Sequence, residues 1–128
     1  MTGNNIIADT NIFIDLMKGN EAVAKKLESF DEVHLSPIVL VELYFGAYRA
    51  ADPAKHLRKI AIAIQECKLQ TIDAATADIF VAIKLALFAK GNPIPENDIW
   101  IAATAIQHQL PLYTNDKHFN EVESLVLV

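Results

Sequence analysis

Five short strand-like runs, each separated from the next by sequence of helical character, constrain this chain more than any other feature. They are Asn5-Ile6-Ile7-Ala8, Glu32-Val33-His34-Leu35, Leu69-Gln70-Thr71-Ile72, Leu110-Pro111-Leu112-Tyr113 and Leu125-Val126-Leu127-Val128. Strands spaced by helices need crossover connections, and crossovers make parallel sheets. The expectation is an α/β fold with a central five-stranded parallel sheet flanked by helices. At 128 residues the chain reads as a single domain, 1–128, with one sizeable core.

The helix boundaries carry their own punctuation. Ser36-Pro37 reads as an N-cap followed by a proline in the first helical position, opening a helix from Ile38 to about Ala50. Asp52-Pro53 repeats the device before Ala54 to Glu66. The break at Ala51-Asp52-Pro53 is so short that the two helices form a hairpin after strand two. Asp73 can cap a helix running through Ala77, Phe80, Val81, Lys84 and Phe88, which Gly91 stops. Pro93 and Pro95 make the next segment a loop. A further helix starts near Asn97-Asp98, with Ile99, Ala102, Ala103 and Ile106 on one apolar face.

That topology dictates where chemistry can sit. Ligands of an open α/β sheet bind beyond the carboxyl ends of its strands, and a helix leaving a strand starts at the same edge. Asp9 follows the first strand, and Glu42 lies in the opening turns of the helix after the second. Asp98 starts the helix leading back to the fourth strand, and Asp116 follows that strand. Four acids distant in sequence are therefore expected at one edge. Carboxylates left together repel, whereas hard divalent cations such as Mg²⁺ or Mn²⁺ relieve the repulsion and prefer oxygen ligands. Such a cation lowers the pKa of bound water and stabilises charge on a phosphoryl group, so metal-assisted phosphodiester hydrolysis is the matching reaction class.

Three of the acids also have ordinary structural explanations. Asp9 can begin a turn, and Asp98 and Asp116 can cap helices. Glu42 is different, because it interrupts Ile38-Val39-Leu40-Val41 and Leu43-Tyr44-Phe45. An acid on so apolar a helix needs a partner or a metal.

Composition narrows the classes. A content of 52% hydrophobic residues argues against disorder. No apolar run approaches the roughly 20 residues that span a bilayer, and Met1-Thr2-Gly3-Asn4-Asn5 lacks the basic opening of a secretory signal. A cytoplasmic protein is expected. Cys67 is the only cysteine, which excludes an internal disulfide and a cysteine-based zinc cluster, and it reads as structural. His34, His56, His108 and His118 show no metal-ligand spacing and read as surface or packing residues. Sixteen acids against eleven bases give a net charge of −5. That opposes nonspecific binding of nucleic acid, although bound cations can neutralise an acidic pocket. It also suits a basic partner segment.

These motifs resemble a known family. Ile6-Ile7-Ala8-Asp9-Thr10-Asn11-Ile12-Phe13-Ile14-Asp15 resembles the opening of PIN-domain proteins, and Ser36-Pro37-Ile38-Val39-Leu40-Val41-Glu42-Leu43 their second signature. Pro95-Glu96-Asn97-Asp98-Ile99-Trp100-Ile101-Ala102-Ala103 resembles the third, and Leu112-Tyr113-Thr114-Asn115-Asp116-Lys117-His118-Phe119 the fourth. The match keeps its order over essentially the whole chain. The resemblance implies a Rossmann-like PIN fold and a Mg²⁺- or Mn²⁺-dependent endoribonuclease that uses Asp9, Glu42, Asp98 and Asp116. Thr10, Asn11, Thr114 and Asn115 match the accessory polar positions that orient acids or water. The short length is similar to VapC toxins, implying a VapB-like antitoxin plugging the acidic groove and a toxin homodimer. Arg49, Lys55, Arg58 and Lys59 on the helical hairpin would guide the RNA backbone, or be ordinary solvated charge.

Two other classes compete. A phosphotransfer or receiver-like domain also places aspartate at strand ends, and Asp73 and Thr114 fit a receiver loosely. A phosphoaspartate hydrolase would want a second acid two residues after the first, where Asn11 stands, and a receiver would want an acid pair after strand one and a lysine after the last strand. A catalytically silent binding module would offer an apolar patch from Phe13, Leu16, Tyr44, Phe45 and Tyr48 beside the acidic edge.

Overall fold

Four strands, β1 (Asn5–Ala8), β2 (Glu32–Leu35), β3 (Lys68–Leu69) and β4 (Leu112–Tyr113), form a parallel sheet of order β3-β2-β1-β4. The computed structural model describes residues 4–128. Residues 1–3, part of the stretch read for a secretory signal, lie outside them. Ile6, Ile7 and Ala8 are fully buried, as befits a central strand covered on both faces. β1 pairs with β2 from Asn5↔Glu32 to Ile7↔His34, and with β4 at Ile7↔Leu112 and Ala8↔Tyr113.

The described residues also form six helices: α1 (Thr10–Met17), α2 (Glu21–Glu28), α3 (Pro37–Tyr48), α4 (Pro53–Ile64), α5 (Ala74–Lys90) and α6 (Glu96–Gln107). A 3₁₀ turn follows at Lys117–Glu121. The caps are those the sequence marks. Ser36 accepts from the Ile38 amide with Pro37 at the helix start, and Asp52 does the same for Lys55 before Pro53. Asp73 and Thr76 form a reciprocal capping box. Gly91 ends α5 in the left-handed region at φ 73°. α3 packs on α4 as the expected hairpin, α1 packs on both, and α5 packs along α6.

The expected fifth strand is corrected to a single bridge, Leu112↔Leu127. β4 is only two residues long, because Pro111 has no amide to donate and gives only its carbonyl to Ile7. The Pro111 and Tyr113 carbonyls both face β1, so Leu112 alone offers its amide and carbonyl outward, to Val126 and Val128. The third strand likewise starts one residue earlier than expected and stops at Leu69, with one further ladder bond from the Gln70 amide to the Leu35 carbonyl.

The core lies where the sheet meets α6, which buries Ile99, Ile101, Ala102, Ala103, Thr104 and Ala105. That is wider than the single stripe expected, because the alanines let neighbouring backbone approach closely. α3 buries Val39, Leu43 and Ala47 but exposes Val41, Phe45 and Tyr48. α5 buries Thr76, Ile83 and Leu87 and exposes Val81, Leu85 and Phe88. No helix among the described residues is long and apolar enough to cross a membrane.

Candidate active site

Asp9 is where β1 becomes α1. Its backbone is still extended at ψ 164°, and its side chain caps the helix by accepting from the Thr10 amide at 2.8 Å. The second carboxylate oxygen accepts from the Thr114 hydroxyl, also at 2.8 Å. Thr114 lies just beyond β4, and its oxygen in turn accepts the Asp116 amide at 2.9 Å. One hydroxyl thus ties the first acid to the last. Asp9 is only 4% exposed, and burial pushes its pKa up to about 6. The bonds from Thr114 and Thr10 oppose that rise, while the negative charges of Asp98 and Glu42 add to it.

Glu42 projects from the second turn of α3, half-buried. The Thr10 hydroxyl donates to its Oε1 at 2.5 Å, and the Asn97 amide reaches Oε2 at 3.5 Å. Asp98 lies in the first turn of α6, whose N-cap Pro95 leaves the helix without a side-chain cap among the described residues. Asp116 does cap, holding the His118 amide at 2.9 Å to open the 3₁₀ turn. The His118 ring then folds back so that Nδ1 lies 3.1 Å from Asp98 Oδ2 and 3.2 Å from Asp116 Oδ1. Burial raises the Asp98 pKa, with Asp116 and Glu42 adding to the rise and His118 opposing it.

The structure brings all four expected acids to one cleft of about 440 Å³, which Thr10, Asn11, Asn97 and Phe45 also line. Thr10 and Thr114 each hold an acid, whereas Asn115 turns to Asp15 instead, at 3.3 Å. His118, Asn97 and Asp15 were not singled out by the motifs. His118 was read as a surface or packing residue; it is exposed, yet its ring engages two of the acids. Its place two residues after Asp116 was the available signal. Of the proposed apolar patch, Phe13 is fully buried and Leu16 packs against the core, while Tyr44, Phe45 and Tyr48 are exposed.

Arg49, Lys55, Arg58 and Lys59 are all exposed. Lys59 lines a groove with Lys18 and His56 that shares Ile14 and Glu42 with the acidic cleft. Arg49 stands 5.2 Å from the centre of the Phe45 ring. Cys67 is half-buried, and burial pushes its thiol pKa up, away from reactivity.

This donor set fits a hard divalent cation. Carboxylate oxygens converge from four separate elements, and burial and mutual repulsion make two of the acids resist ionising. Ligand atoms of Asp98, Asp116 and His118 lie within 4.8 Å of one another.

The chain as a whole is similar to known proteins. The PIN domain family model matches residues 6–125. Ribonuclease VapC of Rickettsia bellii (strain RML369-C) is 31% identical over 124 residues, spanning 94% of this chain and 92% of that protein. Among solved structures, VapBC2 from Rickettsia felis, bound to a DNA fragment from their promoter, is similar with a TM-score of 0.91. The identity is 26% and the match covers 97% of each chain. VapBC-5 from Mycobacterium tuberculosis, a member of the VapBC family of toxin–antitoxin systems, gives a TM-score of 0.78 at 26% identity. That match covers 98% of this chain and 99% of the other.

Proposed function

The chain belongs to the PIN domain family, and from that premise we propose that it is a VapC-type endoribonuclease, the toxin of a toxin–antitoxin pair. The observation that carries this reading is the convergence of Asp9, Glu42, Asp98 and Asp116 on one cleft. The reading is a single domain over 1–128, acting in the cytoplasm as a homodimer. Similarity to VapC and VapBC proteins supports the ribonuclease and a VapB-like partner. The net charge of −5 and the acidic cleft suit a basic segment of that partner.

Asp9, Asp98 and Asp116 would hold Mg²⁺ or Mn²⁺, with Glu42 binding it directly or through water. A bound cation supplies Lewis acidity toward the phosphodiester and charge that keeps the acids ionised. The chain's own residues do the remaining work. Thr114 and the Thr10 amide fix both oxygens of Asp9. The Thr10 hydroxyl fixes one oxygen of Glu42 and the Asn97 amide approaches the other, an orientation that would let Glu42 position the attacking water. Lys18 and Lys59 in the adjoining groove would carry the RNA backbone past the cleft.

The test is cleavage of a mixed cellular RNA pool by purified, partner-free protein with Mg²⁺, with Mn²⁺ and with chelator, alongside Asp98→Asn. Metal-dependent cleavage that the variant lacks is the expected result. Cleavage that persists in chelator, or in the variant, would overturn the assignment.

A further inference from the structure

We propose that His118 supplies an imidazole nitrogen ligand to the cation held by Asp98 and Asp116, biasing the site toward transition cations such as Mn²⁺ over Mg²⁺. This rests on the reading above that the acids bind a divalent cation. The placement of the ring is built into the backbone. Asp116 accepts the amide of His118 as it opens the 3₁₀ turn, and the same residue returns its ring over the acid pair.

The separations match a shared cation. Ligands at right angles on an octahedral ion with bonds of roughly 2.1 Å lie about 3 Å apart. Nδ1 stands 3.1 Å from Asp98 Oδ2 and 3.2 Å from Asp116 Oδ1. The side chain is 51% exposed, so it is not clamped by core packing and can make the small adjustment that coordination needs. The chemistry sets the consequence. Mg²⁺ favours oxygen and gives up its waters reluctantly, whereas imidazole is a good ligand for transition metals. A nitrogen donor added to carboxylates therefore raises affinity for Mn²⁺ more than for Mg²⁺.

The other histidines near this end of the molecule are placed differently. His34 on β2 is held between Glu32 and Gln70, which follows β3. His56 lines the adjoining groove and contacts the Asp52 carbonyl.

The experiment is pulsed EPR on the full chain loaded with Mn²⁺, reading nitrogen coupling to the metal directly. Wild-type protein is expected to bind Mn²⁺ with coupling from one imidazole. His118→Gln should keep bound Mn²⁺ but lose the coupling, with Mn²⁺ affinity falling about 10-fold or more and Mg²⁺ affinity, measured by competition, falling less. Bound Mn²⁺ without nitrogen coupling in the wild type would overturn the inference while leaving the cation reading intact. Coupling that survives in His118→Gln would assign it elsewhere and overturn the inference equally. Failure to bind Mn²⁺ at all sinks both. The wild-type spectrum decides without any variant, and matching thermal melts of the two metal-free proteins check that the substitution leaves the fold unchanged.

Discussion

Asp9 is the residue on which stability and function pull in opposite directions. Its folded pKa of about 6 stands above the ordinary 3.8. Between those values the native chain keeps a proton that the unfolded chain has released, so stability falls as pH rises through that window. A shift of roughly two units corresponds to about 3 kcal/mol held at acid pH and lost above pH 6. The raised pKa of Asp98 acts with the same sign. Glu32 and Asp73, whose pKa values are lowered from 4.5 and 3.8, act with the opposite sign but chiefly below those values, and so contribute little above pH 5. Metal-free protein should therefore resist urea better near pH 5 than near pH 7.5. Asp9→Asn should flatten that difference and raise the melting temperature at pH 7.5 while abolishing cleavage. A melting temperature lower than wild type at pH 7.5 would contradict the cost assigned to ionising the buried Asp9 carboxyl. Thr114 is the next residue to probe, since its hydroxyl serves both Asp9 and Asp116. Thr114→Val should cost about 1 kcal/mol of stability yet reduce kcat by roughly 10- to 100-fold. Unchanged kcat in steady-state assays would show that the link is dispensable.

At the scale of elements, the parts of the fold legible in the sequence were those governed by local chemistry. Ser36, Asp52, Asp73 and Gly91 act within one turn of themselves, so the helix ends could be read from them. The four acids were legible for the same reason, each being fixed by the end of one strand or the start of one helix. What escaped depends on partners distant in sequence. α3 and α5 carry apolar residues on every side, so their periodicity could not say that Val39 and Ile83 go inward while Phe45 and Leu85 face out. The length of β4 depended on what Pro111 offers to its neighbours. His118 reaches Asp98 across 20 residues, and Asn115 finds Asp15 across 100, which no spacing rule encodes. Gly91 provides an element-level test, because its positive φ is the only reason for glycine there: a Cβ would meet nothing within 4 Å. Gly91→Ala should lower stability by about 1 kcal/mol and leave cleavage intact, by thermal melt and RNA assay. A loss of several times that would mean that α5 positions the loop to Asp98 more tightly than its open surroundings indicate.

For the molecule as a whole, a cation that binds only the folded state must stabilise it. At 100 times its dissociation constant Mn²⁺ should add about 2.7 kcal/mol, a rise of several degrees in melting temperature for a chain of this size. EDTA should reverse the rise, and Asp98→Asn should shrink it. A melting curve indifferent to Mn²⁺ would deny the acids their proposed ligand. The sheet order has a consequence of another kind. β1 is bonded on both sides, and the amides of Ile7 and Asp9 are donated across to the carbonyls of Pro111 and Tyr113. Those protons can meet solvent only when the sheet itself separates, whereas the outward-facing turns of α5 can open alone. In native-state hydrogen exchange, the Ile7 and Asp9 amides should be among the last to take up deuterium, at the free energy of global unfolding. The first acid of the cleft then belongs to the most persistent unit of the chain, and partial opening elsewhere leaves its strand intact.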